Sequence, residues 1–207
     1  NIVHDRAVLE VMRGCQRGCR FCHAGIVYRP VRERSLGLLK EQAAKQLKST
    51  GYDEISLASL STLDYSAVEN LVRDLVKDHE KNGVGVSLPS LRVDAFSIDI
   101  ANEVQKVRKT TLTLAPEAGT QRLRDITNKN VSEEQLLGAV KAAFESGWFS
   151  VKLYFMLGLP GETDADLDGI TDLLRKVQNI GDRTAPRKVE IRASLACFVP
   201  KAHTPFQ

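Results

Sequence analysis

The sequence predicts a parallel α/β fold, an open six-stranded (β/α)6 arrangement. Three observations predict it. Six short, nearly unbroken apolar runs fit strands buried on both faces of a parallel sheet. Amphipathic runs of helical period lie between them. A length of 207 residues is too short for an eightfold barrel, which usually needs about 250. Together they describe a partial TIM barrel.

The β-type runs are Ala7–Met12, Glu54–Leu60, Val84–Leu88, Thr110–Ala115, Phe149–Leu157 and Lys188–Phe198. Three helical runs stand out. Val68, Leu71, Val72, Leu75 and Val76 share one face, as do Leu136, Leu137, Val140, Ala143 and Phe144. Leu167, Ile170, Leu174 and Val177 form the third. Ser132 with Gln135 makes a capping box, and Val131 with Leu136 is placed for a hydrophobic staple. Thr163 reads as an N-cap with Asp164 and Asp166 in the first turn, where the helix dipole favours acids. Gly51, Gly83 and Gly147 mark helix ends. In such sheets the chemistry sits beyond the C-terminal ends of the strands.

Composition narrows the class. Apolar residues are 43% and charged residues 27%, the profile of a globular domain. A net charge of +3 is too small to argue for nucleic-acid binding by itself. The longest apolar stretch, Phe149 to Pro160, contains Lys152 and is too short to span a bilayer. With no leader pattern, the expected compartment is the reducing cytoplasm. The chain opens on Asn1 and stops on Gln207, so residues 1–207 read as a domain excised from a longer protein.

Of four cysteines, three crowd into eight residues directly after the first strand: Cys15, Cys19 and Cys22. Gly14 and Gly18 allow the tight turns that would let these thiols converge on one small cluster. A [4Fe–4S] cube normally takes four thiolates. Three leave one iron open, which marks a catalytic metal site. The competing reading is zinc on the same thiols plus His23, Cys197 or His203, a non-catalytic metal-binding scaffold. Structural zinc favours paired CxxC units, and no second pair is present. Cys197, in an apolar strand, reads as a core thiol.

The motif CxxxCxFC after a first strand resembles the signature of the radical S-adenosylmethionine (SAM) superfamily. The resemblance implies a core domain whose [4Fe–4S] cluster is held by Cys15, Cys19 and Cys22. The amino and carboxylate groups of SAM would chelate the open iron, with Phe21 among the cofactor contacts. One electron would cleave a C–S bond of SAM to methionine and a 5′-deoxyadenosyl radical, which abstracts hydrogen from a substrate. Gly158–Thr163 resembles the family's GLPGET segment beside the adenine, with Tyr154 and Met156 near the ribose and adenine. The run Thr113–Leu123 resembles its fourth-strand segment. This gives Glu117 the ribose hydroxyls and Lys129 the SAM carboxylate, with a surface lysine as the alternative for Lys129. Ser87 and Arg92 fall in a third-strand segment that also resembles relatives. One departure is Ser59-Leu60-Ser61, where many members carry Gly-Gly-Glu for the methionine amino group. Hydroxyls or backbone carbonyls of Ser59 and Ser61 would serve instead.

Within the superfamily, GCxxGCRFCxAG, Tyr28–Ser35 and Phe198–Gln207 resemble a bacterial group whose core is shared with tRNA methylthiotransferases and the elongator acetyltransferase. Longer members add a cobalamin-binding-like domain, so cobalamin would enter through residues outside this chain. Methylthiotransferase chemistry needs three further cysteines, and only Cys197 is left. The substrate stays open between RNA and another macromolecule. Arg13, Arg17, Arg20, Arg29, Arg32 and Arg34 crowd the cysteine loop. They read either as a positive mouth for an anionic substrate or reduced flavodoxin, or as surface ion pairs with Glu33 or Glu41.

Overall fold

A computed structural model describes residues 5–88 and 111–207. Arg92 and the start of the fourth predicted strand lie outside the described residues. The elements run β1 (Ala7–Glu10), β2 (Met12–Arg13), α1 (Ala24–Val27), β3 (Arg32–Glu33), α2 (Leu36–Thr50), β4 (Glu54–Ala58), α3 (Val68–His79) and β5 (Gly85–Ser87). They continue with β6 (Leu112–Glu117), α4 (Gln121–Ile126), α5 (Glu133–Glu145), β7 (Ser150–Leu157), α6 (Asp164–Thr184) and β8 (Glu190–Cys197).

Six strands run parallel, in two sheets among the described residues. The first has the order β1-β4-β5 and the second β6-β7-β8. Their registers put Ala7 opposite Ile55, and Leu153 opposite both Leu114 and Ala193. Two apolar cores follow. α2 and α3 cover the first sheet, with Leu39, Leu71, Val72 and Leu75 buried against Leu9, Ile55 and Leu57. α5 and α6 cover the second, with Leu136, Val140, Phe144, Leu173 and Val177 against Leu114, Val151, Leu153 and Phe155. Burial alternates along β6 and β7, so Leu112, Leu114, Val151, Leu153 and Phe155 face helices while Thr113, Glu117, Lys152, Tyr154 and Met156 face the other way.

The caps behave as their chemistry requires. Ser132 accepts from Gln135 N–H at 3.1 Å and the Gln135 side chain accepts from Ser132 N–H at 2.8 Å. Val131 and Leu136 are buried in the same core. At the start of α6 the Asp166 carboxylate accepts from Thr163 N–H at 2.8 Å. Gly51 caps α2 and Gly83 ends the turn after α3.

Four sequence expectations need correction. The first strand ends at Glu10. Met12 and Arg13 instead pair antiparallel with β3, although Val11 N–H still donates to Ala58 O at 3.0 Å. The helix Leu36–Thr50 was legible only at its Gly51 end; it starts on a Ser35 cap and buries only Leu39 and Ala43. Leu167 is exposed, and Leu173 takes the buried position on α6. Cys197 is exposed as well, because β8 edges its sheet and the helical cover reaches only its start, at Val189 and Ile191. No helix of the described residues is long and apolar enough to cross a membrane.

Candidate cofactor site at the C-terminal strand ends

Cys15, Cys19 and Cys22 lie on one loop between β2 and α1, half-buried and in no disulfide. The loop is clamped from two sides. Arg17 Nε donates to Asp64 Oδ2 at 2.7 Å, and Arg17 Nη2 bonds the other oxygen, from a turn beyond β4. Arg20 N–H donates to Thr127 O at 2.9 Å, Arg20 Nη1 to Ile126 O at 2.6 Å, and Asn128 Nδ2 to Gly18 O at 2.7 Å, all from the turn after α4. Inside the loop Cys22 N–H donates to Cys19 O at 3.0 Å. Gly14 sits at φ 86°, where an added Cβ would lie 2.5 Å from Tyr28 O, so only glycine fits this turn. Among the described residues no three His, Cys, Asp or Glu side chains form a group tight enough for a single metal ion.

The arginines around the loop are mostly committed to structure. Arg29 Nε donates to Gly25 O at 2.7 Å, while Arg13 and Arg34 both bond Glu10. The expected partners Glu33 and Glu41 are engaged elsewhere, with Ser66 and Lys45. Hydrogen bonds from Arg13 and Arg34 hold the Glu10 carboxyl below its ordinary value.

Some of the residues that the sequence placed near the cofactor meet at this loop. Lys129 is 8% exposed, not a surface lysine, and its Nζ meets Glu117 Oε1 at 2.8 Å and stands 5.9 Å from the Phe21 ring centre. Glu117, last in β6, follows a register shift in the strand pairing and has φ 69°, a conformation that non-glycine residues seldom adopt. Phe21, Glu117 and Lys129 are thus brought together. Ser59 Oγ accepts from Ser61 N–H at 3.2 Å, and the buried Ser61 Oγ has no partner among the described residues. Ser87 closes β5. Tyr154 lies under Lys152 Nζ at 4.6 Å, and Met156 packs against the cluster of Ala118, Leu123 and Leu159. The donor set fits a cluster with a bound zwitterion: three thiols on one clamped loop, a cation–carboxylate pair, and an orphaned buried hydroxyl.

Sequence reasoning missed the residues that hold the GLPGET-like loop. Arg122 Nη2 donates to Gly161 O at 2.8 Å and also pairs with Asp166, which takes a further hydrogen bond from Thr120. Gly119 packs against the backbone of α6. Burial pushes the Asp166 carboxyl up, but hydrogen bonds from Thr120, Thr163 and Arg122 outweigh it and hold the group well below the usual carboxylate range. A depressed folded-state pKa means that its stabilisation is complete above about pH 4 and is lost as pH falls below that. Asp166→Asn is expected to cost about 2 kcal/mol at neutral pH, a value discounted because Arg122 is half exposed. Urea unfolding from pH 7 to pH 2 checks this, the gap between parent and variant closing as pH falls.

Comparison with known proteins shows the family and the fold. Residues 9–174 match the sequence model of the radical SAM superfamily. An uncharacterized protein of Methanocaldococcus jannaschii is 38% identical over 200 residues, covering 97% of this chain and 42% of its own length. The threonylcarbamoyladenosine tRNA methylthiotransferase of Thermotoga maritima is 25% identical, covering 84% of this chain and 41% of its own. The chain therefore spans about two fifths of the length of these curated relatives. The fold is similar to that of the radical SAM methyltransferase TsrM from Kitasatospora setae, with a TM-score of 0.72 at 16% identity, over 97% of this chain and 38% of that one. The chain belongs to the radical SAM superfamily, a family of enzymes whose cofactors are a [4Fe–4S] cluster and S-adenosylmethionine.

Proposed function

We propose that residues 1–207 act as the radical SAM core domain of an enzyme that abstracts a hydrogen atom from its substrate, with Cys15, Cys19 and Cys22 as the protein ligands of the cluster. The observation that carries this reading is the position of the three-cysteine loop, clamped beyond the C-terminal ends of parallel strands and facing Glu117 and Lys129. When bound, the cluster and SAM supply a reductively generated 5′-deoxyadenosyl radical. The chain's own residues bind and orient. Lys129 takes the SAM carboxylate and Glu117 the ribose hydroxyls. Ser59 and the unpartnered Ser61 hydroxyl serve the amino group. Tyr154 and Met156, on one face of β7, flank the nucleoside. Arg92 and Ser87 complete the set from the third-strand segment.

The two parallel sheets are read as halves of one open six-stranded barrel, a reading supported by their three-plus-three strands and the TsrM likeness. Two solved neighbours, TsrM and OxsB, are described with cobalamin bound, which supports a cobalamin-binding domain outside these residues. The tRNA named for the Thermotoga relative makes RNA the macromolecule to try first as substrate. A low-potential cytoplasmic donor such as flavodoxin would supply the electron.

Anaerobic reconstitution followed by electron paramagnetic resonance tests the proposal. The expected result is about four irons per chain and a reduced-cluster spectrum that changes on adding SAM, with 5′-deoxyadenosine released. Uptake of one zinc instead, or a cluster indifferent to SAM, would overturn it in favour of a non-catalytic scaffold.

A further inference from the structure

The short ribbon of β2 and β3 holds an unfavourable pairing. Its register sets Arg13 directly opposite Arg32. Like charges facing across an antiparallel pair destabilise it. Glu10 accepts from Arg13 at 2.8 and 2.9 Å and from Arg34 at 3.0 Å, so Arg13 is held in place rather than free. Glu33, the carboxylate next in sequence to Arg32, is turned to Ser66, whose N–H it accepts at 3.0 Å. Arg32 has neither an ion pair nor a side-chain hydrogen bond among the described residues, and it is exposed.

The two guanidiniums line a cavity of about 710 Å³ that runs from Val8 on the face of β1 to Gly14, next to Cys15. The rest of its wall is mostly apolar, with the Glu10 carboxylate, already paired with Arg13, and Ser59 as its polar groups. Val8, Tyr28 and Leu60 are 47%, 52% and 48% exposed, and all three line this one cavity. Large apolar side chains left bare in one concave place mark a binding surface. The volume suits a small organic group. Arg32, unpaired among the described residues and opposite an Arg13 that Glu10 holds, stands above bare apolar and aromatic walls and selects a ligand with a planar or apolar body and an anionic head.

We propose that Arg13 and Arg32 form a clamp for the carboxylate or phosphate of the substrate, whose apolar or planar body lies on Val8, Tyr28 and Leu60. Naming this ligand the substrate rests on the radical SAM reading above; the clamp itself does not. Isothermal titration calorimetry with phenyl phosphate, phenylacetate and the neutral benzyl alcohol tests it. The titrations use reconstituted, unreduced protein with SAM present, so that the cofactor's own anion site is filled, and are repeated on protein without cluster. Both anions are expected to bind at least about tenfold more tightly than the alcohol, and more weakly as salt rises. Arg32→Ala should lose that preference and Arg32→Lys should keep part of it. The stronger of the two anions identifies the head group. Alcohol binding equal to the anions, or anion binding unchanged in Arg32→Ala, would overturn the proposal. Thermal unfolding supplies a second readout. Relief of the like-charge pair should leave Arg32→Ala at least as stable as the parent, whereas a structural role would make it less stable. Failure of cluster loading, with the clamp intact in cluster-free protein, would count against the cofactor reading alone.

Discussion

Alanine at Cys15, Cys19 or Cys22 is expected to abolish the SAM-dependent change in the electron paramagnetic resonance spectrum and to bring bound iron far below the parent's value of about four per chain. Each substitution leaves two protein thiolates where three are needed to hold the cube. His23, next to Cys22, is an imidazole and does not replace a thiolate on a [4Fe–4S] cube. Cys197 stands at the end of β8 on the same face as Ile191 and Leu195, the face turned away from Tyr154 and Met156. Cys197→Ala should therefore match the parent in both iron and spectrum. The variants should stay folded, because the loop is anchored by Arg17, Arg20 and Asn128 rather than by its thiols. Iron and sulfide analysis with circular dichroism separates loss of the cluster from loss of the fold. Iron retained in all three variants would contradict the ligand assignment.

The largest effect expected on stability is at Gly119. An alanine Cβ there would stand 2.3 Å from Ile170 N and 2.5 Å from Asp166 O, both backbone atoms of α6. Backbone cannot swing aside as a side chain can, so α6 would have to move off the second sheet and carry Asp166 from Thr120 and Arg122. Gly119→Ala is expected to cost about 3 kcal/mol or more, seen as a lower midpoint in urea. Gly138 is the contrast. It sits inside α5, and a methyl group added there would meet nothing within 4 Å, so Gly138→Ala should raise stability by about 0.5–1 kcal/mol. A smaller loss at Gly119 than the gain at Gly138 would contradict the packing described for α6.

The strands and the cysteine loop were legible because they rest on local pattern: apolar runs, capping chemistry at Ser132 and Thr163, and a motif with fixed spacing. What escaped depends on distance. Asp64 lies 47 residues from Arg17, and Asn128 lies 110 from Gly18. Nothing in the spacing of a polar residue says which loop it will meet. The period of α6 was read correctly, but Leu167 and Leu173 exchange roles because either could belong to a stripe of that width. Cys197 was misplaced for a related reason. An apolar strand signals burial only if something covers its whole length, and the cover on β8 ends near Ile191, leaving Ala193, Leu195 and Cys197 exposed. Lys129 was left undecided between surface and site; the twelve-residue spacing from Glu117 singled it out without revealing that the two side chains pair with each other.

The clamp on the cysteine loop has a consequence for the order of synthesis. A nascent chain carries the three thiols early, but the groups that fix the loop at Gly18 and Arg20 lie more than a hundred residues later. Contacts so far apart in sequence form late. Until the turn at Thr127 has emerged and docked, the loop is tethered on one side only, by Arg17 to Asp64, and its thiols are open to oxidation and to adventitious metals. Iron–sulfur delivery to this loop is therefore expected to follow the folding of the second half of the chain.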